Sequence, residues 1–422
     1  VTAPLIGTLY RALTWSLAPV LRLWLLRRAY LGKEVRSRLA ERFGISSIPR
    51  PDGRLIWIHA ASVGETMSIL PLIAQLTLSG SRILLTTGTR TSAELAAARL
   101  PKGAIHQFVP LDVPQWLGRF LDHWQPDAGL IVEAEFWPNL IFMAHDRAIP
   151  LGLVNGRLSA KSYQSWTKVS GFARYLLSCF SVLTAQDGQS ARRLESLAQK
   201  PVITPGNLKF DAPALPDDPA SREALLGRIA GRPVWLAASI HPGEDEIVLS
   251  AAKSLQTYFP DLLTLIAPRH PERGPALSNM ARAAGFNTAQ RSAGELITPA
   301  TRIYIADTLG ELGLFYRLAP ISFIGGSMIP HGGQNPLEAA RLGSAVMIGP
   351  NHWNQKDAVA LIGALVVPDG DALIEALRDW LTRPDQTQIR ALAQKEAVDS
   401  ANGAVIRTLA ALTPVLGKAM DA

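Results

Sequence analysis

An α/β protein of two doubly wound domains facing a cleft is what this sequence predicts, and three observations predict it. The chain has 422 residues, too many for one ordinary hydrophobic core. After Pro51, short apolar runs alternate with helical stretches of about a dozen residues, the pattern of parallel sheets joined by right-handed crossovers. At 211–221 the run Asp-Ala-Pro-Ala-Leu-Pro-Asp-Asp-Pro-Ala-Ser interrupts that alternation with linker composition, and the alternation then restarts.

In the first half, strands are expected at 55–59, 82–86, 105–109, 128–132, 150–155 and 181–185, with helices at about 65–79 and from Thr91 onward. In the second half they are expected at 234–238, 262–267, 302–306, 321–324, 345–348 and 364–367. The expected division is 1–35 as a membrane-association helix with a basic flank, 36–212 as one domain and 213–422 as the other. The last helices are expected to be able to pack back on the N-terminal domain. Open sheets of this kind bind ligands beyond the carboxyl ends of their strands, so polar clusters at strand ends are the places to search.

Composition removes several function classes. With 48% hydrophobic and 18% charged residues the chain is globular rather than disordered. A single cysteine, Cys179, excludes a disulfide framework and a cysteine zinc site. It lies in an apolar run and reads as a small buried hydrophobe. The formal charge of +7 resides wholly in residues 1–50, which hold nine Lys and Arg against two Glu. The basic residues adjoin an apolar segment, which favours an anionic membrane surface over nucleic acid.

That segment, 5–26, contains Trp15 and Trp24 but also Arg11, Arg22 and Pro19. Its longest uncharged stretch, 12–21, is too short to cross a bilayer, and no small-residue cleavage pattern follows it. The expectation is one amphipathic helix lying in the interface, with Arg27, Arg28, Lys33, Arg36 and Arg38 meeting lipid phosphates. A single span and a docked soluble helix are the alternatives. In either membrane arrangement the cationic flank keeps the body in the cytoplasm.

Three motifs carry chemistry. Gly325-Gly326-Ser327 ends the strand at 321–324, and His331-Gly332-Gly333-Gln334-Asn335-Pro336-Leu337-Glu338 follows. Glycines allow close backbone approach and a helix N-terminus offers free N–H groups, which suits a nucleotide phosphate, with Glu338 placed for ribose hydroxyls. Asn335, Pro336 and Glu338 also spell an ordinary capping box. Ser62-Val63-Gly64-Glu65 sets a carboxylate on a first helical turn, where the dipole favours the ionised form a general base needs; helix stability alone also explains it. Pro268-Arg269-His270-Pro271 places a guanidinium at a strand end, fit to clamp phosphate, although a charged loop pair would look the same. No Asp-x-Asp stands beside a sheet edge to hold a metal, and Asp217-Asp218 reads as solvated linker.

Taken together, the strings resemble one family. Ser-Val-Gly-Glu, Glu133-Ala-Glu-Phe-Trp-Pro-Asn, Asn155-Gly-Arg-Leu-Ser, Leu208-Lys-Phe-Asp, Pro268-Arg-His-Pro-Glu-Arg, Asp307-Thr-Leu-Gly-Glu-Leu, Gly325-Gly-Ser and Gly332-Gly-Gln-Asn-Pro-Leu-Glu look like the Kdo (3-deoxy-D-manno-octulosonic acid) transferases, in the same order. The resemblance runs to about residue 360. Gly156 stands where the family commonly has Ala, and Ala134 where it commonly has Thr; neither is a functional side chain.

The resemblance implies a GT-B fold and inverting transfer of Kdo from CMP-Kdo to a lipid A precursor at the cytoplasmic face of the inner membrane. It implies Glu65 as general base, and Glu133 and Lys209 as stabilisers of the transition state. For CMP it implies Arg269, His270, the loop Gly310, Glu311, Leu312, and Asn335, Pro336, Leu337 and Glu338. CMP-Kdo is a substrate and no metal is expected, since a monophosphate leaving group can be met by Arg and a helix dipole. Two rival readings are a metal-independent GT-B enzyme using a UDP-sugar on a lipid acceptor, and a non-catalytic membrane adaptor that keeps the fold.

Overall fold

Strand β1, Leu55–His59, is buried along its whole length, as expected of a strand covered on both faces. It organises the first of two compact units seen in a computed structural model that describes residues 5–211 and 214–417. β2 (Arg82–Thr87), β3 (Ala104–Phe108), β4 (Ala128–Val132), β5 (Leu151–Gly156) and β6 (Val182–Ala185) complete a sheet in the order β3-β2-β1-β4-β5-β6. Every pairing is parallel. This is the doubly wound dinucleotide-fold order, with its switch point between β1 and β4.

The second unit, 214–401 of the described residues, repeats the plan. β7 (Val234–Ile240), β8 (Leu263–Pro268), β9 (Thr288–Gln290), β10 (Ile303–Ile305), β11 (Ile321–Ile324), β12 (Ala345–Ile348) and β13 (Leu365–Val366) run in the order β13-β12-β11-β7-β8-β10-β9. Its switch point lies between β7 and β11. The edge strand β9, Thr-Ala-Gln, has no apolar run to announce it and was not expected from the sequence. Asp218 is a helix cap rather than free linker: its carboxylate accepts from the Ser221 N–H at 3.1 Å, with Pro219 opening the helix. Asp217 pairs with Arg222 at 3.3 Å.

The two units share a local signature. The Trp57 indole on β1 donates to Thr86 Oγ1 on β2 at 2.9 Å, and the Trp235 indole on β7 donates to Thr264 Oγ1 on β8 at 2.9 Å. Each pair ties the two strands behind a site at the sheet's carboxyl edge.

The chain after residue 401 returns to the first unit. Helices Ala404–Ala411 and Thr413–Leu416 lay Val405, Leu409, Leu412 and Leu416 against Ile56, Leu130 and Val154. Arg407 Nε donates to the Pro205 carbonyl at 2.7 Å.

The N-terminal segment departs from the single expected helix. It forms α1 (Leu5–Ser16) and α2 (Ala18–Tyr30), broken at Leu17 because Pro19 opens the second helix. α1 is tied to the body by the Tyr10 hydroxyl, which donates to Asp112 at 2.9 Å, and by Asn139 Nδ2, which donates to Thr14 Oγ1 at 2.8 Å. Leu9, Leu13, Trp15, Val20 and Leu23 remain exposed. The basic flank is less free than its sequence suggests. Arg28 pairs with Glu34, Arg38 chelates Glu41, and Arg36 donates to the carbonyls that end α2. No described helix is long and apolar enough to cross a membrane.

Candidate active site

In the first unit the site residues gather where β1 and β4 end. Helix α3 (Val63–Leu78) starts just beyond β1, with Ser62 as its N-cap. Glu65 closes a capping box: its N–H donates to Ser62 Oγ at 3.3 Å, and Ser62 Oγ–H donates to Glu65 Oε1 at 2.6 Å. Its other oxygen accepts from the Ala61 N–H at 2.8 Å. The residue is 8% exposed. Burial raises its pKa and the Glu133 charge adds to the rise, while the Ser62 and Ala61 bonds oppose it. The candidate base is thus itself part of the cap, oriented by two donors.

Across the switch point, Glu133 holds a left-handed backbone, φ 56°, which a non-glycine residue adopts at some cost. Its N–H donates to the Val154 carbonyl at 2.9 Å, and its Oε1 accepts from Lys209 Nζ at 2.9 Å. Lys209 rides on a short turn, Leu208–Asp211, whose first N–H donates to Asn155 Oδ1 at 3.1 Å. Asn155 therefore sets the reach of Lys209, a role its motif did not reveal.

Two further groups complete this cluster. Glu135 accepts from the Trp137 indole at 2.8 Å, and burial, reinforced by the Glu65 charge, pushes its pKa up to about 7. His59 is fully buried, its Nδ1 against Thr86 Oγ1 at 3.1 Å. Its Nε2 has no hydrogen-bond partner and lies 4.0 Å from Glu135. Burial pulls the imidazole pKa down to about 4, so this contact is between a neutral ring and a carboxyl group, not an ion pair. Three carboxyl groups and one ammonium at a strand edge can accept a proton and balance charge on a neighbouring reacting centre.

In the second unit the Gly325-Gly326-Ser327 loop carries its own anion. Glu244 is fully buried and takes the N–H groups of His241 (3.0 Å), Gly326 (2.7 Å), Ser327 (3.0 Å) and Met328 (2.9 Å). The backbone donors that the sequence reading offered to phosphate are thereby occupied. Gly325 is required by the fold itself, because a Cβ there would lie 2.5 Å from the Ser239 carbonyl oxygen.

The capping-box alternative at Asn335 places the helix start one residue too early, since Pro336 holds the N-cap position. The helix runs Leu337–Arg341, and Asn335 Oδ1 accepts from the Leu337 N–H at 3.1 Å while its Nδ2 donates to Glu338 at 3.2 Å. Glu311 is clasped by Arg291 at 3.0 and 2.5 Å and also accepts from Thr308, so its carboxylate braces the Gly310–Leu312 loop. Gly310 takes a φ of 84°, and Leu312 opens the next helix.

Arg269 and His270 are exposed at the end of β8, and the Arg269 N–H donates to the Ile240 carbonyl at 3.0 Å. His241 and His331 join them. The rings of His241 and His331 are 4.1 Å apart, and those of His241 and His270 are 6.1 Å apart. Gln334 Nε2 contacts His241 Nε2 at 3.1 Å.

His59, Glu135, His241, Glu244 and His331 were not singled out as site residues. One sequence signal would have found Glu244: Ala60-Ala61-Ser62 before Gly64-Glu65 returns as Ala237-Ala238-Ser239 before Gly243-Glu244.

Residues 37–212 match the family described as 3-deoxy-D-manno-octulosonic-acid transferase (kdotransferase). The chain is 37% identical over 418 residues to the probable mitochondrial 3-deoxy-D-manno-octulosonic acid transferase of Arabidopsis thaliana, covering 95% of this chain and 94% of that one. It is 36% identical over 402 residues to the 3-deoxy-D-manno-octulosonic acid transferase of Haemophilus influenzae, covering 90% and 92%. Among solved structures, UDP-GlcNAc 2-epimerase from Neisseria meningitidis aligns with a TM-score of 0.55 at 16% identity, covering 86% of this chain and all of that one. A glycosyltransferase from Rickettsia africae aligns with a TM-score of 0.54 at 11% identity, covering 87% and all of that chain. At such identities the likeness is one of fold, the paired Rossmann-like domains of the GT-B class.

Proposed function

The chain belongs to the 3-deoxy-D-manno-octulosonic acid transferase family and is a glycosyltransferase, and from that premise we propose that it moves Kdo from CMP-Kdo to a phosphorylated lipid A precursor, with inversion. The observation that carries the chemistry is the Glu65 carboxylate, buried at the β1–β4 switch point and oriented by Ser62 and Ala61.

Glu65 removes the proton from the acceptor hydroxyl as its oxygen attacks the anomeric carbon. The bond from that carbon to the phosphate oxygen breaks, and CMP departs with the electron pair. Lys209, anchored on Glu133, offers positive charge to the anionic sugar acid as this happens. Arg269 and His270 hold the nucleotide, together with the backbone of the loops at Gly310–Leu312 and Asn335–Glu338. No metal is needed, because the leaving phosphate carries one phosphoryl group whose charge side chains can meet.

The first-unit helices fit attachment to the cytoplasmic face of an inner membrane. Their exposed Leu, Val and Trp side chains supply apolar area, and Arg27 and Lys33 have no carboxylate partner among the described residues.

The deciding assay mixes the protein with CMP-Kdo and a tetraacylated lipid A precursor and reads products by mass. A product heavier by one or more Kdo residues, formed equally in chelator, is expected. Transfer from a UDP-sugar instead, or transfer that needs magnesium or manganese, contradicts the proposal.

A further inference from the structure

Basic groups rarely converge without an acid between them, since each raises the cost of charging the next. At the β7–β11 switch point four such groups do converge. His241 extends from the β7 loop, Arg269 and His270 from the end of β8, and His331 from the loop after β11. His241 is 6% exposed, and its ring sits 4.1 Å from that of His331 and 6.1 Å from that of His270.

The acids nearby are already committed. Glu244 lies behind the cluster with both oxygens on backbone N–H groups. Asp245 is held by Arg273 at 2.5 Å. Glu272 approaches only the outer ring, His270, at 3.8 Å. Arg269 has no carboxylate partner among the described residues. An anion with several oxygens complements this arrangement, and Glu244 has closed the alternative seat on the glycine loop.

We propose that His241, His270, His331 and Arg269 form the seat of the nucleotide's phosphate, and that one imidazole of the cluster takes up a proton from solvent as the phosphate dianion binds. This rests on the reading of CMP as the leaving group and extends it to residues outside the Arg269–His270 motif. Burial and the neighbouring His331 hold His241 toward its neutral form in the free protein, with Glu244 opposing and His270 and Arg269 adding to the effect. A bound dianion reverses that balance. Affinity for CMP therefore falls as pH rises through the imidazole range, by up to about tenfold per pH unit while the free ring is neutral and the bound ring charged.

Calorimetry on the full chain tests this. CMP is titrated at about pH 8, where phosphate is mostly dianionic and free imidazole mostly neutral, in two buffers with different heats of ionisation. The expected result is net proton uptake with CMP and none with cytidine. In His241→Asn the uptake should be lost and CMP affinity should fall by about tenfold or more, as for a lost hydrogen bond to a charged group. His331→Asn, at a more exposed position, should reduce both and serves if the His241 variant does not fold. CMP binding with no proton uptake, or with uptake and affinity unchanged in the variants, overturns the proposal. Failure of the wild-type protein to bind CMP at any pH overturns instead the donor assignment beneath it.

Discussion

Ser62 Oγ and Glu65 Oε1 stand 2.6 Å apart, and Ser62 Oγ also accepts from the Glu65 N–H at 3.3 Å. The hydroxyl that caps the helix therefore also aims the carboxylate proposed as the base. Glu65→Gln keeps much of this geometry but cannot accept the acceptor's proton. Turnover should fall by about 10²–10⁴-fold, with CMP affinity nearly unchanged. Single-turnover rates and thermal melts on one preparation check it; near-normal turnover would leave Glu65 as a cap alone. Ser62→Ala removes a bond that favours the ionised form, so the acidic limb of its pH–rate profile should move to higher pH.

Glu135 makes stability depend on pH in the opposite sense to a salt-bridged carboxylate. Its pKa is about 7 in the fold and about 4.3 in an unfolded chain. Between those values the folded state binds the extra proton, so stability is lost as pH rises through that window. Glu135→Gln removes the ionisation. Its melting temperature should exceed that of the wild type at about pH 8 and the gap should close near pH 4. A constant difference across the range would mean that Glu135 does not titrate there.

Glu244→Gln replaces a carboxylate that accepts four backbone N–H groups with an amide whose NH₂ faces two of them. Each orphaned buried donor costs about 1–3 kcal/mol. Denaturant unfolding should show that loss, and CMP affinity should fall with it because the loop beside His241 and His331 is no longer pinned. Wild-type stability in this variant would show that the nest tolerates the amide.

Membrane attachment should respond to the exposed apolar positions rather than to Arg28 or Arg38, whose charges are already paired. Leu9→Glu and Leu23→Glu should weaken binding to anionic vesicles while leaving the melting temperature unchanged, since both side chains are exposed. High salt should release part of the wild-type protein. Undiminished vesicle binding in the double variant would place the attachment elsewhere.

The alternation of apolar runs and helices made nearly every strand of both sheets legible, because a strand buried on both faces must be apolar along its length. The exception, Thr288–Gln290, is a three-residue edge strand without such a run. The break at Leu17 was written in Pro19 but masked by the apolar residues on either side. At the site, Glu65 and Glu133 could be named because each follows a strand in a recognisable string. His241 and His331 could not, since they lie 90 residues apart by number and meet only once β7 and β11 pair. Glu244 shows the limit of glycine-rich motifs: the same loop accepts an external phosphate or an internal carboxylate, and only the fold decides which.

The return of residues 404–416 to the first unit sets an order for synthesis at the ribosome. The face of its sheet that carries Ile56, Leu130 and Val154 is completed by Leu409, Leu412 and Leu416, which emerge after the whole of the second unit. The later unit can therefore reach its native core while the earlier one still waits with apolar surface uncovered. Growing chains add about 5–20 residues per second, so the roughly 190 residues between Asp211 and Gly403 leave that face open for about ten seconds or more. During that interval the uncovered apolar face is open to aggregation.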